Sequence, residues 1–333
     1  MRSLYSVMFG KKKAVIIPVA SGKGGVGKSI FSANLAVALA QMGKETCAVD
    51  LDFGGANLHN YLGMSNKYAG IGDYLKAGNA DFKTLMVKTH VPNLSMVPGD
   101  GKTPFMANVP FEQRERLLNA VRDIKGDYTI LDLAAGSTFN TLNFFGLAHK
   151  AVMITTFETP AVMNFLMFLK YFVFRIVSSM VRHDDHVFTI VKNAFRQASG
   201  GSPLTTDGLI RIIGREDRHL AEKSATAVAH YRPRIIFNMG EGPEDLNVIR
   251  KVERTIRNSL SLEADYLGFI FFDANLRQAV KTEKSLMTEY PDLPFCRDVK
   301  DIAAKIITGW EKPMPGSIEA LYEETKTKKN RRS

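Results

Sequence analysis

Nine residues, SGKGGVGKS at positions 21–29, constrain this chain more than any other stretch. They hold four glycines and two lysines and follow directly on the apolar run AVIIPVA at 14–20. A buried strand that ends in a glycine-rich turn and runs into a helix can point successive backbone N–H groups into one concavity. The positive end of the helix dipole adds to the field there. The spacing G-x-x-x-x-G-K-[ST] is met from Gly22 to Ser29, so the loop reads as a phosphate cradle. The candidate nucleotide-binding set is Gly22, Gly24, Gly25, Val26, Gly27, Lys28, Ser29 and Ile30. Lys28 is expected to reach the β- and γ-phosphates of ATP, and the Ser29 hydroxyl to ligate Mg²⁺. Lys23 has no part in that chemistry and needs its own explanation. A solvated loop lysine is the plain alternative.

Apolar β-branched runs alternate with helical patterns along the rest of the chain. Strands are expected at 14–20, 46–52, 93–99, 128–134, 151–157, 234–240 and 266–272, and helices at 28–42 and 111–124. This alternation predicts an α/β, Rossmann-like P-loop NTPase fold, with a mostly parallel central sheet and helices on both faces. Ligands in such sheets bind at the C-terminal ends of the strands. Three acids fall at such ends. Asp50 and Asp52 close the second strand in VDLDFGGAN, and Asp132 closes a later one in ILDLAAG. Asp50 and Asp132 join Ser29 as candidate Mg²⁺-holding residues, Asp132 acting through water. Asp52 is the candidate that orients an attacking water, which phosphoryl transfer demands. Without the loop upstream, Asp50 and Asp52 would read as a turn pair or a helix cap.

Two segments break the rhythm. Residues 160–181 are apolar almost all round and long enough to span a bilayer. Lys170 and Arg175 would then sit near its middle at high cost, so the segment reads as a buried helix with Pro160 in its first turn. Residues 183–230 are polar and mixed, with SGGSPLTTDG as a loop and 207–224 as a short amphipathic helix. They read as a rim insertion.

Only two cysteines, Cys47 and Cys296, are present. That speaks against a disulfide scaffold, a zinc finger or a cysteine-ligated iron–sulfur cluster within one chain. No apolar core with a small-residue cleavage site opens the sequence, so a cytoplasmic location is expected. The net charge of +10 is concentrated at the ends. Residues 1–13 carry Arg2, Lys11, Lys12 and Lys13 and no acid, and 325–333 carry Lys326, Lys328, Lys329, Arg331 and Arg332 and no acid. The expected organisation is a tail at 1–13, an ATPase domain at 14–310 and a basic tail at 311–333. Such tails suit an anionic membrane or a nucleic acid, or are solvated ends. Leu4, Tyr5, Val7, Met8 and Phe9 beside the N-terminal lysines suit a membrane surface. Ile318, Leu321 and Tyr322 offer too little apolar area for a C-terminal anchor.

On these residues the chain resembles the MinD/ParA group of P-loop ATPases. KGGVGKS, with its early lysine, is similar to that group's deviant Walker A motif. DLDFGGANL resembles its switch I, usually D-x-D-x-G-x-x-N-x-D. ILDLAAG resembles its D-x-P-A-G switch II, with Ala134 in the proline's place, and MITTFETPAVMNFLMFLK resembles its T-T-P-E-P-T-S segment and the helix after it. Residues 70–99 and 266–299 look most like the FlhG branch, also called FleN or YlxH. The likeness covers 14–182 and 232–310. It implies an ATP hydrolase that forms a homodimer with two ATP molecules between its subunits, Lys23 of each reaching across to the other's phosphates. It further implies that Asn57 is the switch I asparagine, that Asn238 reads the adenine edge, and that Asp273 is the acid of the P-x-D base-binding loop. Phe271 stands where that loop has proline. An asparagine that ends a strand is otherwise often a turn former.

The reading that follows is an ATP-dependent dimerising switch that positions a cellular structure, such as flagella or division or polar machinery, or regulates its number. It would work through a protein partner or activator, or on the inner face of the cell membrane. The activating D-Q-A-x-x-L segment of FlhG proteins is absent. The alternative is a ParA-type partitioning ATPase that binds non-specific DNA. The near-neutral body argues against that, and no helix-turn-helix stands out. Metabolic relatives on this fold need paired cysteines, and a scaffold without turnover has no use for Asp52.

Overall fold

The structure, a computed structural model, describes residues 12–78, 80–99, 109–198, 204–282 and 284–332. Its strands are β1 (Val15–Ala20), β2 (Thr46–Leu51), β3 (Val87–Lys88), β4 (Leu94–Val97), β5 (Tyr128–Leu133), β6 (Val152–Thr155), β7 (Arg234–Gly240) and β8 (Asp265–Phe271). They form one sheet in the order β3-β4-β2-β5-β1-β6-β7-β8, parallel except for the two-residue edge strand β3. Every expected strand is present, displaced by a residue or two. The central strands are covered on both faces. They therefore read as continuous apolar runs without alternation.

The helices are α1 (Lys28–Gln41), α2 (Leu58–Tyr61), α3 (Ile71–Lys76), α4 (Phe111–Arg122), α5 (Phe139–Phe145), α6 (Thr159–Val181), α7 (Asp185–Ala198), α8 (Thr206–Glu216), α9 (Arg218–Ala229), α10 (Ile249–Leu260), α11 (Ala274–Val280), α12 (Leu286–Glu289), α13 (Pro294–Gly309) and α14 (Ser317–Asn330). α1 and α13 supply the core of one face, with Phe31, Leu35, Leu39, Ile302 and Ile306 buried. α4, α5, α6, α10 and α14 supply the other. α13 comes so close to β8 that a Cβ at Gly268 would lie 2.7 Å from Ile302 Cγ1. The apolar helix α6 is held inside the protein by Phe165, Phe168 and Phe172, all fully buried, as expected. It is the one described helix long and apolar enough to cross a membrane.

Two expectations need correction. Among its described residues the insertion holds three helices where one was expected, and 199–203 of the expected loop lie outside the described residues. The stretch 207–224 breaks at Asp217, whose extended backbone ends α8 and whose side chain caps α9 by accepting from Leu220 N–H. The insertion packs on the outer side of α6, with Phe195 stacked 3.9 Å from Phe174, centroid to centroid.

Nor is 311–333 a free tail. α14 docks beside β8, with Leu321 2% exposed. Ser317 Oγ accepts from the Tyr266 N–H at 3.0 Å. Lys328 pairs with Asp298 (3.3 Å), Asp301 (2.7 Å) and Glu324 (3.0 Å), Arg332 with Asp298 (2.9 Å) and Lys329 with Glu244 (3.0 Å). The linking segment is clamped by the buried Arg234. Its guanidinium stacks on Trp310 and donates to the carbonyls of Trp310 (2.9 Å) and Lys312 (2.7 Å). The described residues beyond 310, expected as a basic tail, thus pack against the body of the protein. Of the N-terminal tail, Lys13 bridges to Lys125 and pairs with Asp123; Leu4, Tyr5, Val7, Met8 and Phe9 lie outside the described residues.

If α14 is part of the folded body, Leu321→Ala leaves a cavity under it and lowers unfolding free energy by about 2–4 kcal/mol in urea titration. A loss below about 0.5 kcal/mol, the size of a surface substitution, would mean the helix is not docked.

Candidate functional site

The sheet register builds the site. Asp50 on β2 lies directly across from Asp132 on β5, so the two carboxylates sit side by side at the strand ends, each about 1% exposed. The loop between β1 and α1 passes over them. Gly25 and Gly27 have φ of +82° and +87°, backbone that L side chains rarely adopt. This turns the chain so that α1 begins at Lys28. Lys28 Nζ then reaches down to Asp132 Oδ1 at 2.7 Å, with Ser29 Oγ 3.2 Å away. The pair is nearly sealed, the side chains being 6% and 1% exposed.

Ser32, one turn further along α1, donates to the same Asp132 oxygen at 3.0 Å. Asp132 Oδ2 is buried with no hydrogen-bond partner. Asp50 accepts from the N–H groups of Asp52 (3.1 Å) and Leu58 (3.1 Å). Burial, and after it the charge of Asp132, push its carboxyl up to about 7. Two buried carboxylates thus share one ammonium group.

Close packing holds the loop in place. A Cβ on Gly22 would strike the backbone of Asn164 and Phe165 on α6, and one on Gly27 would strike the Asn238 amide. Gly136, just past β5 and with φ +82°, donates to Ser21 C=O at 2.9 Å. Gly99, at the end of β4, leaves room for Asp50; its Cβ would lie 3.0 Å from the carboxyl carbon.

The other expected residues fall as follows. Val26 and Ile30 are buried, and Gly24 is exposed. Lys23 is exposed on the outer side of the loop and takes part in no hydrogen bond or ion pair among the described residues, while its charge lowers Glu158 as a minor contribution after the Thr156 hydrogen bond. Asp52 is half-exposed, and its Oδ1 accepts from Gly54 (3.2 Å) and Gly55 (3.1 Å). The turn geometry weighed for it is therefore present. Asn57 precedes α2, exposed and without a capping side-chain bond. Asn238 is buried, and its Nδ2 donates to Val26 C=O at 2.8 Å, which ties the tip of β7 to the loop. Asp273 caps α11 through Asn275 N–H (3.0 Å), and its Oδ2 is buried without a partner.

Ser32, Ser21 and Gly99 were not foreseen. Ser32 was detectable in principle, being one turn beyond Lys28 on the same helix face. Gly99 depends on a packing contact with Asp50 that no local pattern carries. Cys47 and Cys296 are both buried and free, and burial pushes each thiol up to about 12. Neither is poised for nucleophilic or metal chemistry.

The residues fit a nucleotide and its cation. The glycine turn offers backbone donors, Lys28 a cation, Ser29 a hydroxyl, and Asp132 a buried oxygen with nothing to accept. No group of three or more His, Cys, Asp or Glu side chains forms a metal cage among the described residues.

Fold and loop together define a P-loop nucleotide-binding ATPase. Its family is shown by sequence: the CobQ/CobB/MinD/ParA nucleotide binding domain matches residues 17–286, and the chain belongs to that MinD/ParA family. It is 27% identical over 294 residues to an uncharacterized ATP-binding protein of Methanocaldococcus jannaschii, covering 88% of each chain. It is 23% identical over 311 residues to the antiactivator FleN of Pseudomonas aeruginosa, covering 92% of this chain and 90% of FleN. Among solved structures it resembles the septum site-determining protein MinD of Pyrococcus horikoshii in complex with Mg-ADP. The TM-score is 0.54 at 18% identity, covering 90% of this chain and all of that one.

Lys28→Ala strands Asp132 beside Asp50 without a cation. It is expected to cost nucleotide-free protein about 3 kcal/mol in urea unfolding, the cost of breaking a buried pair. Adding Asp132→Asn to Lys28→Ala should recover a clear part of that loss. A double variant no more stable than the single one would show that the two groups are not coupled.

Proposed function

We propose that this ATPase is a dimerising switch that couples the state of its nucleotide to the positioning or number of a cellular structure. One contrast carries the reading. The two lysines of a single loop are used in opposite ways: Lys28 is buried and paired within its own site, whereas Lys23 is exposed and makes no hydrogen bond or ion pair among the described residues. A cation held outside its own site serves a second molecule, and the γ-phosphate charge of a facing subunit is the partner that ties association to nucleotide state. The likeness to an antiactivator over nearly the whole chain supports a regulatory role.

Mg-ATP would supply the phosphoanhydride and the divalent charge. The protein's residues bind and orient it. The loop amides and Lys28 would hold the phosphates, Ser29 with Asp50 and Asp132 would hold Mg²⁺, and Asp52 would orient water. Asp52 rests on Gly54 and Gly55, in a turn of small residues that can reshape. Asn238 and Asp273 line the base side.

Asp52→Ala should bind ATP and stay dimeric, because turnover no longer releases the subunits. Lys23→Ala should keep its monomer affinity for ATP within about twofold and weaken the ATP dimer roughly tenfold, about 1.4 kcal/mol. Sedimentation velocity with ATP and with ADP reads both. A monomeric Asp52→Ala protein at saturating ATP would sink the switch. The same variant, spun with anionic liposomes and with double-stranded DNA, gives the address. ATP-dependent pelleting that DNA does not compete away supports a membrane-surface positioner; ATP-dependent DNA binding instead supports a partitioning ATPase.

A further inference from the structure

Arg114 on α4 and Arg175 on α6 converge on Phe139, the first residue of α5. Their guanidinium carbons lie 4.7 Å and 4.4 Å from its ring centroid, and Arg114 also lies 5.2 Å from the ring of Phe111. Arg114 is only 8% exposed, and its Nε is buried without an acceptor. Among the described residues neither arginine enters an ion pair. Arg175 donates from Nε (3.2 Å) and one terminal nitrogen (3.0 Å) to the Asn143 side-chain carbonyl, a neutral acceptor. Burial, then the charges of Arg114 and Arg182, push its guanidinium below the usual value, and Glu115 is the only opposing charge.

Two arginines elsewhere in the protein are held by acids. Arg234 and Arg232 share Asp265, and Arg232 adds Glu263. Arg114, buried, and Arg175, half-buried, lie together with no carboxylate paired to either among the described residues, and stacking on a ring returns less than the desolvation costs. The rings that flank them stand out into solvent, Phe139 at 50% and Phe111 at 62% exposure. Buried guanidinium groups rimmed by exposed aromatics are the composition of a protein-interface hot spot.

We propose that this patch docks an acidic segment of a protein partner. A carboxylate would take the terminal donors of Arg114 and the Arg175 nitrogen that Asn143 leaves, and an apolar neighbour would lie on Phe111 and Phe139. Two arginines are too few to follow a nucleic-acid backbone. The inference does not depend on dimerisation. It lies close to the nucleotide loop in the chain, because α5 begins just after Gly136, which bonds Ser21.

The test uses the full chain with saturating Mg-ADP, so that the phosphate loop is filled. Fluorescence anisotropy follows a fluorescein-labelled peptide of alternating glutamate and leucine, the same peptide with glutamine for glutamate, and a labelled oligothymidylate. The glutamate peptide is expected to bind and the glutamine peptide not. Arg114→Met and Arg175→Met should each weaken that binding roughly tenfold with Mg-ADP affinity unchanged. Arg114→Met should also melt no lower than the parent, since it removes an unpaired buried charge. Arg175→Met, at a less buried position, answers the question on its own if Arg114→Met fails to fold. Peptide binding that both variants retain, or no peptide binding at all, overturns the proposal. So does an oligothymidylate that binds through these arginines in the peptide's place.

Discussion

The structure turns on two carboxylates that the sheet register forces together. Asp50 and Asp132 face each other across β2 and β5, buried, with one ammonium group between them and the solvent. Like charges this close in a low-dielectric setting cannot both ionise freely. Burial first, and after it the charge of Asp132, drive Asp50 up to about 7 while Asp132 keeps Lys28 and Ser32. Much of the neighbourhood answers this problem. Gly99 leaves room for Asp50, the amides of Asp52 and Leu58 solvate it, and the turns at Gly25 and Gly27 deliver Lys28 from above. The arrangement remains short of positive charge, and this deficit underlies the proposed Mg²⁺ role of Ser29.

How much of this was legible depended on range. The central strands could be read because burial on both faces removes alternation and leaves plain apolar runs. The phosphate loop could be read because its chemistry is contained in eight consecutive residues. Asp50, Asp52 and Asp132 could be placed because they end strands, although only the register shows that Asp50 and Asp132 are neighbours. The C-terminal helix was missed for the opposite reason. Lys328, Lys329 and Arg332 look like a solvated basic run until Asp298, Asp301 and Glu244 are folded against them, and composition cannot show that long-range cancellation. The break at Asp217 was missed because a capping aspartate between two amphipathic helices resembles an ordinary polar position within one. The arginine pair was invisible in the same way, since α4 and α6 meet only in the fold.

Position 271 shows how a departure from a family pattern can have a local cause. A proline there would have no N–H. In this chain Phe271 N–H donates to Asp298 Oδ2 at 3.2 Å, and Asp298 is the carboxylate that Lys328 and Arg332 clasp, with Arg332 also stacked 4.2 Å from the Phe271 ring. One carboxyl thus joins three elements: the tip of β8, the start of α13 and the end of α14. The loop that carries Asp273 begins two residues beyond that joint.

This joint changes the meaning of the chain's positive charge. With α14 docked, Lys328, Lys329 and Arg332 are neutralised by the body, and only Lys326 and Arg331 of that cluster remain without ion pairs among the described residues. A docked C-terminus therefore offers little field to an anionic membrane or a nucleic acid, because paired charges project weakly beyond a Debye length. Freeing the helix would expose its cations and leave Asp298 buried without them beneath the Phe271 N–H. The charge that would attract an anionic surface at this end of the molecule is therefore the charge that holds α14 to the tip of β8.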